Sequence, residues 1–186
     1  MGLLICVTVG ALAVGWITRG SLDGLSRVQL RGWLLVFGAA TAIAIGSVLS
    51  TVGGSIGSFA RVAGPLIAAA CLLALLFRNR SVEGVPLLAA GLVLNAVVIA
   101  VNGAMPVSLY AASRAGFSGA SLFQVDDATH EVADSSTHLR ALGDVVPVPL
   151  PVHPETVSVG DLLIVSGVGL LIVTGMHRRR DDEPSG

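Results

Sequence analysis

Residues 94–110 read LNAVVIAVNGAMPVSLY, and their reading decides how the chain folds. The opening is apolar enough for a bilayer, yet it carries Asn95 and Asn102 and then breaks into Gly-Ala-Met-Pro. A span over 85–101 places Asn95 about 15 Å from its start at a helical rise of 1.5 Å per residue, near mid-membrane. Asn102 lies seven positions on, two helical turns later, and shares the face; Gly91 joins the same stripe. An unpaired amide in hydrocarbon costs several kcal/mol, so this face must turn toward protein. Interhelical hydrogen bonding is one use, worth about 0.6–2 kcal/mol each. The other is a polar line or seam running from the helices to the segment beyond, through Asn95, Asn102, Met105, Pro106 and Ser108.

The rest of the chain sets the context. It has 186 residues, 53% hydrophobic and only 12% charged. Soluble domains carry about 25% charged residues, so most of this surface is expected to face lipid. Net charge is −1, which argues against a nucleic-acid partner. Cys6 and Cys71 both fall in apolar runs and are expected to pack; no CxxC spacing occurs.

Five apolar runs, approximately residues 2–17, 33–52, 62–77, 85–101 and 162–176, predict an all-α membrane protein with five transmembrane helices. A small extracytoplasmic cap over 102–158 lies between helices four and five. Residues 1–176 form one membrane domain, and 177–186 a polar cytoplasmic tail. The opening MGLLICVTVG lacks the basic region of a secretory signal, so the first run is expected to stay as a helix.

All eleven basic residues are arginine. Arg19, Arg27, Arg31, Arg78, Arg80, Arg178, Arg179 and Arg180 fall on one side of a five-pass chain, against Arg61, Arg114 and Arg140 on the other. Arginine-rich short loops stay cytoplasmic, which puts the N-terminus outside and the C-terminus inside a bacterial cytoplasmic membrane. Trp16 and Trp33 then fall at the inner interface. The loop TRGSLDGLSRVQLRGW reads as a short amphipathic surface segment or a plain basic loop, with Arg27 and Arg31 as inner anchors beside Arg178, Arg179 and Arg180. STVGGSIGSFARVAG reads as an outer link, with a Gly53-xxx-Gly57 spacing that would let helices approach.

In the outer segment, Pro106 to Gly116 predicts a short helix started by proline and stopped by glycine. THLRALGD alternates and ends in a turn, and VVPVPLPVHP is extended by its prolines. Ser158 and Asp161 match a capping pair at the start of the last helix. His130, His138 and Asp144 form the candidate cap site, with Glu131 nearby. The eight-residue histidine spacing is not a helical metal pair, and HExxH, GxSxG, GxGxxG and P-loop patterns are absent. No metal, cofactor or catalytic residue is assigned. No charge sits at mid-depth in any run, which counts against an ion-coupled transporter.

LNAVVIAVNGAMPVS, His130, THLRALGDVVPVPLP and SVGD together resemble an uncharacterised family of bacterial integral-membrane proteins, a domain of unknown function. The family pattern holds NGG-x-MPVS, a Lys-His pair, T-x-L-x-x-LGDIIPLP and S-x-GD. The inner loop RGSLDGLSRVQLRGW also resembles it, and the likeness runs over about residues 1–176. Two departures, Ala104 in the glycine motif and Thr129 before His130, remove positions suited to an anion. The resemblance implies topology and no mechanism.

Three classes of function follow. The first is a non-catalytic accessory, scaffold or sensing protein, its partners the bilayer and another membrane protein. The second is a small transporter, channel or lipid-handling subunit. The third is a membrane enzyme using the cap.

Overall fold

The computed structural model describes residues 2–52, 54–117, 130–151 and 154–178. Helices dominate: α1 (Gly2–Ile17), α2 (Leu22–Ser26), α3 (Leu34–Ser50), α4 (Gly54–Arg78), α5 (Val85–Asn102), α6 (Leu109–Ala115) and α7 (Val159–Met176). Among the described residues there are also four short strands: β1 (Met105–Val107), β2 (His130–Val132), β3 (Val146–Val148) and β4 (Glu155–Val157). A 3-10 turn spans Arg140–Leu142. The contacts group the chain into two units, residues 28–82 and residues 1–27 with 83–186.

Helices α5 and α7 are long and apolar enough to cross a membrane, each 18 residues, with mean hydropathies of 2.2 and 2.0. Gly2–Ile17, Leu34–Leu49 and Leu66–Arg78 are shorter apolar helical stretches. Only 17% of the α5 window and 33% of the α7 window is buried against protein, so most of their apolar surface stands uncovered.

In the larger unit, α7 packs against both α5 and α1. Four glycines set the α5–α7 contact. A methyl built on Gly167 would lie 2.6 Å from the Gly84 carbonyl oxygen, and one on Gly91 would lie 2.4 Å from that of Gly160. Each helix thus presents glycines seven residues apart, and the pairs run in opposite order, so the helices are antiparallel with backbones in close approach. Gly84 also enters α5 at φ 88°, a conformation few side chains accept. Helix α1 runs alongside α7: Glu155 of β4 accepts from Gly2 N–H and Leu3 N–H at its start. At the other end Gly15, Gly20 and Gly24 close on Met176, which is 2% exposed. The Met176 carbonyl accepts from Ser21 N–H at 2.8 Å, holding α2 against the end of α7.

The smaller unit is a helical hairpin. Gly46 of α3 and Gly64 of α4 meet so closely that a methyl on Gly46 would lie 3.0 Å from Gly64 Cα. Asn79 clips its open end: Nδ2 donates to Arg31 O at 2.9 Å and to Leu75 O at 2.7 Å, and Oδ1 accepts from Arg31 N–H at 2.7 Å.

Two expectations need correction. SIGSFARVAG is not a link: α4 begins at Gly54, because packing of this stretch, with Ala60 buried, outweighs the poor helix propensity of its glycines and serines. Gly53 of the Gly53-xxx-Gly57 spacing lies outside the described residues. The proline does not start the cap helix either. Pro106 lies in β1, and Ser108 caps α6 by accepting from Ala111 N–H. With no N–H of its own, Pro106 fits a strand where its carbonyl carries the pairing.

Candidate functional site in the cap

The cap is stitched together by the stretches quoted above. Parallel pairing sets Met105 against His130 and Val107 against Val132. On the other side of β1, Asp144 N–H donates to Pro106 O at 2.8 Å, and Ser108 N–H donates to Asp144 O at 3.0 Å. Only glycine fits just before it, since a methyl on Gly143 would lie 2.4 Å from Pro106 O. MPVS, His130 and LGD thus become neighbours, with β1 in the middle. β3 pairs antiparallel with β4, Val146 opposite Val157, and β4 leads straight into α7.

Asn102 joins α5 to this cap. Its Nδ2 donates to His138 O at 3.0 Å and its Oδ1 accepts from His138 N–H at 2.8 Å. Asn95 has other partners. Its Nδ2 donates to Asp161 Oδ1 at 2.8 Å, and its Oδ1 accepts from the Ser158 hydroxyl at 2.8 Å. Ser158 Oγ accepts from Asp161 N–H while Asp161 Oδ2 accepts from Ser158 N–H, a complete capping box. Asp161 therefore has both oxygens engaged, by a cap and by the neighbouring helix.

Beside this lock lies a cleft of about 440 Å³. Leu3 and Leu4 of α1, Ile164 and Val165 of α7, and Val107, Phe117 and Val157 make it largely apolar. His130, Asp144, Glu155 and Asp161 supply its charge and polarity. The size suits a small organic molecule, and an apolar wall with a few converging polar groups is how such sites are built.

Asp144 is the unusual member. Its side chain is 7% exposed, and its Oδ1 is buried with no hydrogen-bond partner among the described residues. Its Oδ2 lies 3.9 Å from His130 Nε2, too far for a direct hydrogen bond. Burial, then the nearby Asp161 carboxylate, push the Asp144 carboxyl up to about 7 despite the counteracting His130. A buried acid poised near neutrality on a cleft wall makes Asp144 a candidate functional residue. Burial would also raise Glu155, but the N-terminal ammonium and then the Leu3 and Gly2 N–H donors outweigh it and hold that carboxyl below its ordinary value.

The other candidates fall elsewhere. His138 is exposed and enters the cap through its backbone, so it does not converge with His130 and Asp144. Among the described residues, no three His, Cys, Asp or Glu groups are placed to hold a metal ion. Arg27 pairs with Asp23 one helical turn away. Arg31 meets Asn79 through its backbone. Arg178 is exposed, and Arg179 and Arg180 lie outside the described residues, as does His153. His177 follows the last turn of α7. It faces Val173 O through Nδ1 at 2.7 Å and Thr18 O through Nε2 at 3.1 Å, tying α7 to α1. Both carbonyls, Val173 first, raise its pKa, since both ring nitrogens must donate. Sequence reasoning also missed Glu155 as the cap of α1 and the paired glycines. The seven-residue spacing in both helices was the available signal for the glycines.

The chain belongs to a family of unknown function, DUF5317, which matches residues 27–173. No curated protein and no solved structure matches it.

Proposed function

We propose that this is an integral membrane protein that binds a small molecule in its cap cleft and acts as a sensing or accessory subunit rather than as an enzyme. The observation that carries the binding reading is Asp144, a residue of the wall of a mostly apolar cleft whose Oδ1 is a buried acceptor without a partner among the described residues. A buried polar atom left unpaired costs about 1–3 kcal/mol, and a donor brought by a ligand removes that cost. The membrane reading rests on the uncovered apolar helices and the one-sided arginines. It places five spans in a bacterial cytoplasmic membrane, N-terminus outside and C-terminus inside, with the cap outside. The bilayer is then one partner, and another membrane protein receives the signal.

A translocation path has less support. The Asn95 amide is taken up at both ends by Asp161 and Ser158, so it does not offer passing solutes a polar line.

Native mass spectrometry of the protein, extracted in nanodiscs from its host membrane, tests the binding reading. A discrete small-molecule adduct is expected on the wild type and is expected to be reduced on Leu4→Trp, which crowds the cleft. An adduct-free wild type, or equal adducts on both proteins, overturns it. Reporter fusions after residue 136 and at the C-terminus test the topology. Outside activity at the C-terminal fusion overturns it.

A further inference from the structure

The cleft chemistry also points to a class of ligand. Among its described lining residues are three carboxylates, Asp144, Glu155 and Asp161, one imidazole, His130, and no arginine. Two of the carboxylates are already used. Asp161 holds the Asn95 amide and the Ser158 N–H, and Glu155 holds the N-terminal ammonium and the first N–H groups of α1. That leaves Asp144, on the segment stitched to β1, facing His130 of β2 and Asp161 of α7. Asp161 opposes the ionised form of Asp144, and His130 at 3.9 Å offsets this only in part.

We propose that the cleft takes a primary ammonium group on an apolar body, with the Asp144 carboxylate as the acceptor and Leu3, Leu4, Ile164 and Val165 around the body. A cation satisfies the buried acceptor and relieves the repulsion between Asp144 and Asp161 together. A neutral donor does only the first, and an anion does neither. This rests on the binding reading above. The ammonium has two possible sources, a free aliphatic amine or an aminophospholipid headgroup, and both carry the same chemistry.

The test uses the full chain in phosphatidylcholine nanodiscs, titrated by calorimetry with n-hexylammonium and with 1-hexanol as its neutral counterpart. The expected result is at least tenfold tighter binding of hexylammonium, with that preference lost in Asp144→Asn. Leu4→Trp is expected to weaken both probes. Circular dichroism and melting of each variant identify any that fail to fold. If Asp144→Asn fails to fold, Asp144→Glu replaces it and a shift in the preference is required; if Leu4→Trp fails to fold, Leu4→Phe replaces it and weaker binding of both probes is required. Equal binding of the two probes, or an unchanged preference in Asp144→Asn, overturns the ammonium class. If Leu4→Trp still weakens both probes in that case, the binding reading survives. If neither probe responds to any cleft substitution, both readings fall. Phosphatidylethanolamine added to the discs separates the sources. Severalfold competition with hexylammonium, and retention of that lipid on the wild type but not on Asp144→Asn, assigns the lipid headgroup. Unchanged hexylammonium binding assigns a free amine.

Discussion

Nδ2 of Asn95 lies 2.8 Å from Oδ1 of Asp161, so an amide inside one apolar helix completes the N-terminal cap of another. The same amide oxygen accepts from Ser158, whose side chain is fully buried. Asn95→Leu removes both bonds and leaves the Ser158 O–H without its acceptor and Asp161 Oδ1 without its amide donor. A loss of about 1–3 kcal/mol is expected. Thermal melting of the purified protein checks it, and an unchanged melting temperature would show that the lock contributes nothing.

Gly160 lies against the same group. A methyl built there would lie 2.0 Å from Asn95 Oδ1. Gly160→Ala is expected to lower the melting temperature at least as far as Asn95→Leu. The double variant is expected to cost less than the sum of the two, because they break one contact. A full double-mutant cycle measures that coupling, and strict additivity contradicts the shared lock.

The paired glycines predict a steep size dependence. Gly167→Leu drives a side chain into the Gly84 carbonyl, which would lie 2.6 Å from even a methyl group, and is expected to abolish folded protein. Val97→Leu, at an exposed position of α5, is expected to change stability by less than about 0.5 kcal/mol. Monodisperse yield on size exclusion compares the two.

Asp144 makes stability fall as pH rises. Its carboxyl stands at about 7 in the folded protein against an ordinary value of 3.8, so the folded state holds its proton more tightly than the unfolded chain. Its contribution is fully present below 3.8 and is lost as pH climbs through about 7. Melting temperatures from pH 5 to 8 should decline in the wild type and decline less in Asp144→Asn. Hexylammonium affinity should move the other way, rising over the same range as the carboxylate forms.

His177 adds a second slope of the same sign. Its pKa is raised above 6.5 by the Val173 and Thr18 carbonyls, so its contribution is present below 6.5 and disappears as pH rises through the folded value. His177→Gln should flatten the melting profile in the alkaline part of that range. Proton NMR titration of the imidazole reads the shift directly, and an unshifted value removes the α1–α7 tie.

Several features were legible in the sequence for definite reasons. The positions of α1, α3, α5 and α7 follow from unbroken apolar runs, because hydrophobic length reports a helix whatever surrounds it. Ser158 and Asp161 as a capping pair follow from local spacing alone. Asn95 and Asn102 declared a protein-facing surface, since amides cannot face hydrocarbon unpaired. The extent of α4 was not legible, because its glycine- and serine-rich first turns have poor helix propensity and the contact with α3 at Ala60 and Gly64 appears only in the fold.

What tertiary structure alone decided is the cap. Met105–Ser108, His130 and Gly143–Asp144 lie far apart in the chain, and strand pairing makes them adjacent. That pairing buries Asp144 without a partner for Oδ1 among the described residues, while leaving His138 outside. Residue types and spacing named both histidines equally. Burial and register separated them, because the chemistry of a carboxylate or an imidazole depends on what surrounds it, and that is settled only when distant segments meet.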